Sequence, residues 1–182
     1  MIVLVGASAS GKTELAKLLY QNYNYHKCVT TTTRLPRIGE KDGIDYHFLT
    51  FEQFKNLEKN HQFIEVSSYN DQLYGIQRKD VDIQGVVIVE PNGANTLVEK
   101  IGKDAFVVYV EASDQTRKSR MLQRGDSIKQ VEERIDFDRN VFILKHFKRI
   151  DLKLSNEKEA LDQLALFIDK MYKLYMKENK QI

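Results

Sequence analysis

Short apolar runs rich in valine and isoleucine recur along the chain, and they indicate the strands of one buried sheet. The runs are Ile2 to Val5, Val86 to Val89, Phe106 to Val110 and Ile150 to Leu154. Most of the intervening segments carry apolar residues at three- and four-residue spacing, which predicts helices. These helices are expected to begin at Lys12 or Thr13 and to lie near Asn95 to Ile101, Asp114 to Gln123, Ile128 to His146 and Lys158 to Met176. The alternation predicts an α/β fold with a parallel sheet flanked by helices.

The pattern changes between Thr30 and Gln84. Glycines and short segments that contain tyrosine and phenylalanine surround one predicted helix, Phe51 to Lys59. Glycine punctuation of this kind is typical of turns between short strands. We therefore predict an inserted, mixed α/β subdomain in this part of the chain.

Composition narrows the classes of partner. The chain has 182 residues, and its 28 basic and 26 acidic side chains leave a formal net charge of +2, so no overall field favours nucleic acid. Cys28 is the single cysteine, which excludes an internal disulfide and fits a reducing compartment. The apolar start before Gly6 is short and has no basic flank, so we predict neither a signal peptide nor a membrane span. A cytoplasmic protein without a membrane partner is expected.

A glycine-rich segment follows the first predicted strand and precedes the first predicted helix. Its residues are Gly6, Ala7, Ser8, Ala9, Ser10, Gly11, Lys12 and Thr13. In this context the pattern predicts a phosphate-binding loop, in which backbone N–H groups and a helix N-terminus surround the phosphates. We expect Lys12 to reach the β and γ phosphates of ATP and the Thr13 hydroxyl to bind the Mg²⁺ that bridges them.

The strand predicted at Val86 to Val89 ends in Glu90. A carboxylate at this position can hold Mg²⁺ directly or through water. Many buried strands end in a charged residue at the surface, so this feature indicates a metal site only together with the phosphate-binding loop.

Two arginines, Arg34 and Arg37, flank Leu35 and Pro36 on a segment that the proline stiffens. Paired guanidinium groups suit a phosphate dianion, and a phenol such as Tyr46 or Tyr74 can add a neutral donor. The alternative is a pair of surface arginines beside a turn.

The same region resembles the guanylate kinase family. The resemblance lies in Thr31-Thr32-Thr33-Arg34-Leu35-Pro36-Arg37-Ile38-Gly39-Glu40, Gly43-Ile44-Asp45-Tyr46-His47-Phe48, Phe63-Ile64-Glu65, Leu73-Tyr74-Gly75 and Arg124-Gly125. With the phosphate-binding loop, these motifs keep the family's order over nearly the whole chain. The resemblance implies one domain, 1–182, with an ATP-binding core (1–29, 86–113 and 140–182), a monophosphate-binding subdomain (30–85) and a lid region (114–139).

The resemblance also assigns roles to single residues. Arg34, Arg37, Tyr46 and Tyr74 would hold the phosphate of the acceptor, and Thr30 would lie near its base. Glu65 would accept hydrogen bonds from guanine N1–H and the exocyclic amine, which adenine cannot offer together. The lid arginines Arg120, Arg124 and Arg134 would surround the transferred phosphoryl group, while Arg117 and Arg139 fit solvated helix positions equally well.

Several positions depart from the family pattern, among them Ser155-Asn156, which stands where the family usually has Asn-Asp beside adenine. Ala9 replaces a usual glycine, which costs little if its φ angle is negative. Ile76 stands where the family has a hydroxyl directed at guanine O6, and Ile88 stands where it has the first of two acids. Ile76 and Ile88 weaken the prediction of the acceptor base.

The sequence thus predicts an enzyme that uses ATP and Mg²⁺ to phosphorylate GMP, and also dGMP, as a monomer or homodimer. Two alternatives stay open. One is a kinase of the same fold with a different acceptor, such as another nucleotide or a phosphorylated sugar. The other is a non-catalytic binding module of this fold, against which the intact Lys12 and Thr13 argue.

Overall fold

The computed structural model describes residues 1–69, 71–157 and 160–179. Its strands are β1 (Ile2–Val5), β2 (His26–Lys27), β3 (Thr31–Thr32), β4 (His47–Phe48), β5 (Phe63–Tyr69), β6 (Gln72–Gln77), β7 (Gly85–Ile88), β8 (Phe106–Glu111) and β9 (Leu152–Ser155). Its helices are α1 (Lys12–Asn22), α2 (Phe51–Lys59), α3 (Pro91–Ile101), α4 (Asp114–Gln123), α5 (Ile128–Val141) and α6 (Leu161–Asn179).

The central sheet is parallel and has the strand order β2-β7-β1-β8-β9. Its middle strand, β1, is buried on both faces. Ile2 and Leu4 pack into one apolar cluster, with residues of α1 and α6, whereas Val3 and Val5 pack into a second cluster that includes α3. Burial on both faces explains why the strand is a continuous apolar run, and it confirms the predicted α/β fold.

A second, smaller sheet lies between β2 and β7 in the chain. Its order is β4-β3-β6-β5, with β3 parallel to β4 and the other pairs antiparallel. Helix α2 begins at a reciprocal cap between Thr50 and Gln53, and its buried Phe54 stacks on Phe63 at 4.4 Å between ring centroids. The mixed sheet with its single helix agrees with the predicted insertion.

Helices α4 and α5 form an antiparallel pair joined by a turn at 124–127. Met121, Val131 and Ile135 make a small apolar cluster between them, and Ala9 of the glycine-rich segment packs against it. This contact connects the helix pair to the loop that follows β1.

Several boundaries differ from the sequence predictions. Helix α3 begins four residues earlier than expected, because Pro91 suits the first helical position. Helix α5 ends at Val141, not at His146. The Tyr109 hydroxyl donates to the Phe142 carbonyl at 2.9 Å, and the Tyr109 ring packs edge-on against Phe147. These two contacts hold the chain after α5 against the sheet. Strand β9 begins at Leu152, two residues late, and Lys158, the predicted start of the last helix, lies outside the described residues.

Within the described ranges, no helix combines the length and the apolar content that crossing a membrane requires.

Candidate functional site

The loop between β1 and α1 begins and ends with a glycine, and at both positions the φ angle and the close neighbours exclude a side chain. Gly6 has φ +141°, and a Cβ atom there would lie 2.1 Å from the carbonyl oxygen of Val110. Gly11 has φ +103°, and a Cβ atom there would lie 2.1 Å from Nδ2 of Asn156. Both glycines therefore fix the loop tightly between β1, β8 and the chain after β9, as a phosphate-binding loop requires.

Ala9, in the middle of this loop, does not have the negative φ angle under which it would cost little. Its φ is +59°, in the left-handed region, which costs a residue with a Cβ about 1–2 kcal/mol. Two contacts hold it there: its methyl group packs on the cluster around Met121, and Arg120 Nη1 donates to its carbonyl at 3.2 Å. Tertiary contacts thus impose the conformation that glycine would adopt freely.

Lys12 is the first residue of α1 and points back over the loop. Its Nζ donates to the Ala7 carbonyl at 2.8 Å and to Ser10 Oγ at 3.4 Å. Burial lowers the pKa of Lys12 to about 8, against the opposing charge of Asp138. A phosphate anion beside this ammonium group would reverse that shift, because an opposite charge favours the protonated form.

A cleft of about 920 Å³ runs from the loop to the second sheet. It brings together most of the side chains that the sequence singles out. Its wall includes Gly6, Ser8 and Lys12 from the loop, Thr30, Arg37, Tyr46, Glu65 and Tyr74 from the insertion, Glu90 at the start of α3, and Arg134 of α5. A single cavity therefore contains both the predicted donor end and the predicted acceptor end.

Glu65 is the buried acid at the acceptor end. It follows a register shift in the pairing of β5 with β6, and such a bulge changes the direction of a side chain beside a site. Only 8% of Glu65 is exposed, and burial raises its pKa. A hydrogen bond from Ser67 opposes this rise, and the charge of Glu90 adds to it. Two N–H donors in the cleft would stabilise the ionised carboxylate.

The two arginines of the insertion have different surroundings. Arg37 lines the cleft. The Arg34 guanidinium pairs with Glu40 at 2.9 Å and lies over the Tyr46 ring, 5.4 Å from its centroid, and it is not among the cleft-lining residues described. Glu40 also accepts from the Arg37 backbone N–H at 2.7 Å. Arg34 must exchange this carboxylate for a phosphate if it is to bind the acceptor.

The three predicted lid arginines also have different surroundings, and one of them lines the cleft. Arg134 lines the cleft, and its Nη1 lies 3.5 Å from Ser8 Oγ. Arg120 holds the outside of the loop through the carbonyls of Ala9 and Asn156. Arg124 ends α4, pairs with Asp126 and, among the described residues, does not line the cleft.

The two predicted metal ligands lie at the starts of different helices, and of the two only Glu90 is among the described residues that line the cleft. Thr13 lies exposed on the first turn of α1, and Glu90 is exposed at the N-terminus of α3 on the cleft wall. Over the described residues, neither side chain makes a hydrogen bond or ion pair, and no cluster of three or more metal-binding side chains occurs. A hydroxyl and a carboxylate suit Mg²⁺, whose remaining ligands would be phosphate oxygens and water.

The sequence analysis left Arg117 undecided between a solvated position and the site, and it did not single out Asp138. Arg117 and Asp138 form a buried ion pair at 2.5 Å and both contact the backbone of Ser8. The available signal was their placement on the apolar faces of two helices: Arg117 is four residues from Met121, and Asp138 is three residues from Ile135. A charged residue on an apolar helix face indicates a buried partner.

Comparison with known proteins adds a family. A family model described as guanylate kinase matches residues 1–171. The guanylate kinase of Onion yellows phytoplasma (strain OY-M) is 35% identical over 156 residues, 80% of this chain and 74% of that relative. The guanylate kinase of Aster yellows witches'-broom phytoplasma (strain AYWB) is 34% identical, with the same coverage. A crystal structure of guanylate kinase from Anaplasma phagocytophilum is similar with a TM-score of 0.64 and 26% identity, covering 95% of this chain and 85% of that one.

The pKa of Lys12 predicts that a nucleoside triphosphate binds with uptake of a proton above neutral pH. Near pH 8.5 a large part of the free protein has a neutral Lys12, and the bound phosphates restore its charge, so we expect uptake of about half a proton or more. Affinity should fall as pH rises through about 8. Calorimetric titrations in buffers of different ionisation enthalpy measure the uptake.

The matched control is Lys12→Arg, which keeps a cation whose pKa stays far above this range. This variant should bind with no proton uptake. Equal uptake by the wild type and the variant, or none by the wild type, would contradict the assignment of Lys12.

Proposed function

The chain belongs to the guanylate kinase family, and from this premise we propose that it transfers the γ-phosphoryl group of MgATP to GMP, and to dGMP, giving ADP and the diphosphate. One observation supports this most strongly. A single cleft joins the lysine of a phosphate-binding loop to a buried carboxylate with tyrosines and an arginine around it, namely Lys12, Glu65, Tyr46, Tyr74 and Arg37. The first end suits a triphosphate and the second suits a purine monophosphate.

At the donor end, the chain binds polyphosphate through its backbone and one cation. The loop from Gly6 to Gly11 precedes α1, so its N–H groups and the helix N-terminus favour an anion. Lys12 releases its contact with the Ala7 carbonyl and donates to phosphate oxygens. Thr13 and Glu90 would hold the Mg²⁺, which supplies positive charge to the β and γ phosphates.

At the acceptor end, recognition divides between phosphate and base. Arg37, Tyr46 and Tyr74 donate to the phosphate of GMP, and Arg34 joins them when it leaves Glu40. Glu65 accepts from N1–H and the exocyclic amine of guanine, and Thr30 lies beside the base. The raised pKa of Glu65 indicates a carboxylate that gains from these donors, which adenine lacks on the same edge.

Transfer needs positioning and charge neutralisation, not a covalent nucleophile. The acceptor phosphate is already an anion, so its oxygen attacks in line without a general base. Arg134 on the cleft wall, with Arg120 and Arg124 from the same helix pair, would stabilise the transferred group when residues 114–139 close as a lid. Closure also excludes the water that would hydrolyse ATP.

One observation keeps a broader acceptor range as a second candidate. Ile76 and Ile88 line the cleft, so apolar side chains face the acceptor at two positions. These two side chains offer no hydrogen bond to the base, so selection of guanine rests on Glu65, and discrimination against other purine monophosphates is weaker. The complete phosphate-binding loop argues against a binding module without catalysis.

The proposal predicts a rank order of acceptors. With MgATP, GMP and dGMP should support the highest kcat/KM among GMP, dGMP, AMP, UMP and CMP, because Glu65 pairs with two guanine donors. A coupled assay of ADP formation measures the order. Preference for AMP, or no turnover with any monophosphate, would refute the guanine assignment.

A Glu65→Gln variant controls for the origin of the preference. The amide keeps the shape of Glu65 but loses its charge and one acceptor, so GMP should lose kcat/KM by about tenfold or more while AMP changes little. Equal losses for both nucleotides would mean that Glu65 supports the site and does not select the base.

Replacing Ile76 with a residue that carries a hydroxyl is expected to lower the KM for GMP. In Ile76→Thr, a hydroxyl replaces the ethyl branch of a buried side chain and can donate to guanine O6. A hydrogen bond worth about 0.5–1.5 kcal/mol lowers the KM for GMP about two- to tenfold. Steady-state kinetics with GMP and AMP measure the change.

The matched control is Ile76→Val, which has nearly the size of the threonine variant but no hydroxyl. It should leave the KM for GMP unchanged. An equal KM in the threonine and valine variants would exclude a missing O6 contact.

A further inference from the structure

A buried ion pair connects the two helices of the predicted lid to the phosphate-binding loop. Arg117 of α4 is 4% exposed and Asp138 of α5 is 3% exposed, and Arg117 Nη2 lies 2.5 Å from Asp138 Oδ2. Placing both charges in the interior costs desolvation free energy, which the pair recovers only through good geometry and further hydrogen bonds. The chain supplies those further bonds from the loop.

The pair holds the backbone of Ser8 from both sides. The Ser8 N–H donates to Asp138 Oδ2 at 2.8 Å, and Arg117 Nε donates to the Ser8 carbonyl at 2.8 Å. The third branch of the guanidinium donates to Asp114 Oδ1 at 2.9 Å. Every branch of the Arg117 fork is therefore engaged, and the two peptide groups that flank Ser8 have fixed orientations.

Ser8, whose peptide groups are held by the ion pair, directly precedes Ala9, whose backbone is strained. Ala9 has φ +59°, and a residue with a Cβ leaves this region unless its surroundings hold it. Ser8 lines the cleft at the donor end, so relaxation of Ala9 would turn the loop N–H groups that face a phosphate. The contacts on Ser8 resist that rotation.

We propose that Arg117 and Asp138 are positioning residues for phosphoryl transfer: together they clamp the Ser8 peptides and keep the donor end of the cleft preorganised. The clamp also joins the loop to α4 through Arg117 and to α5 through Asp138. This role rests on the proposed kinase function of the cleft. Neither side chain needs to touch the transferred phosphoryl group.

The decisive variant removes both charges at once. Single substitutions leave a buried charge without a partner and lower stability for that reason alone. In Arg117→Leu with Asp138→Ala, apolar side chains replace the pair and no unpaired charge is left. The melting temperature should therefore fall less than in either single variant, although the Ser8 N–H and carbonyl lose their partners. Activity should not recover: kcat/KM for ATP should fall about tenfold or more, with the KM for GMP within about twofold of wild type.

A second ion pair between the same helices provides the control. Lys118 and Glu132 lie 3.8 Å apart on the exposed side of α4 and α5, with 46% and 62% of their side chains accessible. Lys118→Leu with Glu132→Ala should leave both kinetic constants unchanged. A double variant of the buried pair with wild-type stability and wild-type kcat/KM for ATP would overturn the proposal.

A conservative change keeps the proposal testable if the double variant does not fold. Arg117→Lys keeps the charge opposite Asp138 but cannot hold the Ser8 carbonyl and the carboxylate in one rigid fork. It should fold and show a reduced kcat/KM for ATP with an unchanged KM for GMP. Wild-type kinetics in this variant would also overturn the clamp.

Direct binding separates this proposal from the function on which it rests. Calorimetry with a non-hydrolysable ATP analogue should show weaker binding by the double variant and by Arg117→Lys than by the wild type. If the wild type binds the analogue but phosphorylates no monophosphate, the proposed function fails. If both variants bind the analogue as tightly as the wild type, the clamp fails instead.

Discussion

The conformation of the backbone between Gly6 and Gly11 is the constraint on which the rest of the structure depends. A loop that binds phosphate through N–H groups must be tight, and here distant parts of the chain enforce that tightness. Gly6 lies against β8, Gly11 lies against Asn156 after β9, and Ser8 lies between Arg117 and Asp138. The parallel sheet brings these segments together because the carboxyl ends of its strands meet at one edge.

At each end of the cleft, burial disfavours the charged form of one side chain, Lys12 at the donor end and Glu65 at the acceptor end. Burial lowers the pKa of Lys12 at the donor end and raises the pKa of Glu65 at the acceptor end. Each group is thereby held where its charged form is less stable than in water. In the proposed function, phosphates at one end and the N–H groups of guanine at the other would restore the favourable pairing, so that substrate binding would relieve a cost that folding imposed.

The sequence was a good guide wherever one local rule decided the outcome. The strands β1, β7 and β8 followed from their apolar runs, and the tight loop before α1 followed from its glycines and its place between a strand and a helix. The helix α2 matched its prediction from Phe51 to Lys59. In each case the local pattern and the tertiary environment favour the same structure.

Other features depend on contacts between distant residues and could not be read from local patterns. The positive φ of Ala9 is imposed by the α4–α5 cluster, and the early end of α5 accompanies the hydrogen bond from Tyr109. Arg34 pairs with Glu40, and Arg124 with Asp126, although the family pattern directs both arginines to the substrates. For Arg117 the sequence fits a solvated position and a role in the site equally well, because its spacing from Met121 indicates a buried partner but does not identify Asp138.

The central claim is that one cleft transfers a phosphoryl group between two nucleotides and does not merely bind or hydrolyse ATP. Phosphorus-31 NMR of the protein with MgATP and GMP tests this directly, because it resolves ADP, GDP and inorganic phosphate in the same sample. The account predicts that the ADP and GDP signals grow at equal rates without inorganic phosphate. Release of inorganic phosphate without GDP, or no change in the ATP signals, would contradict it.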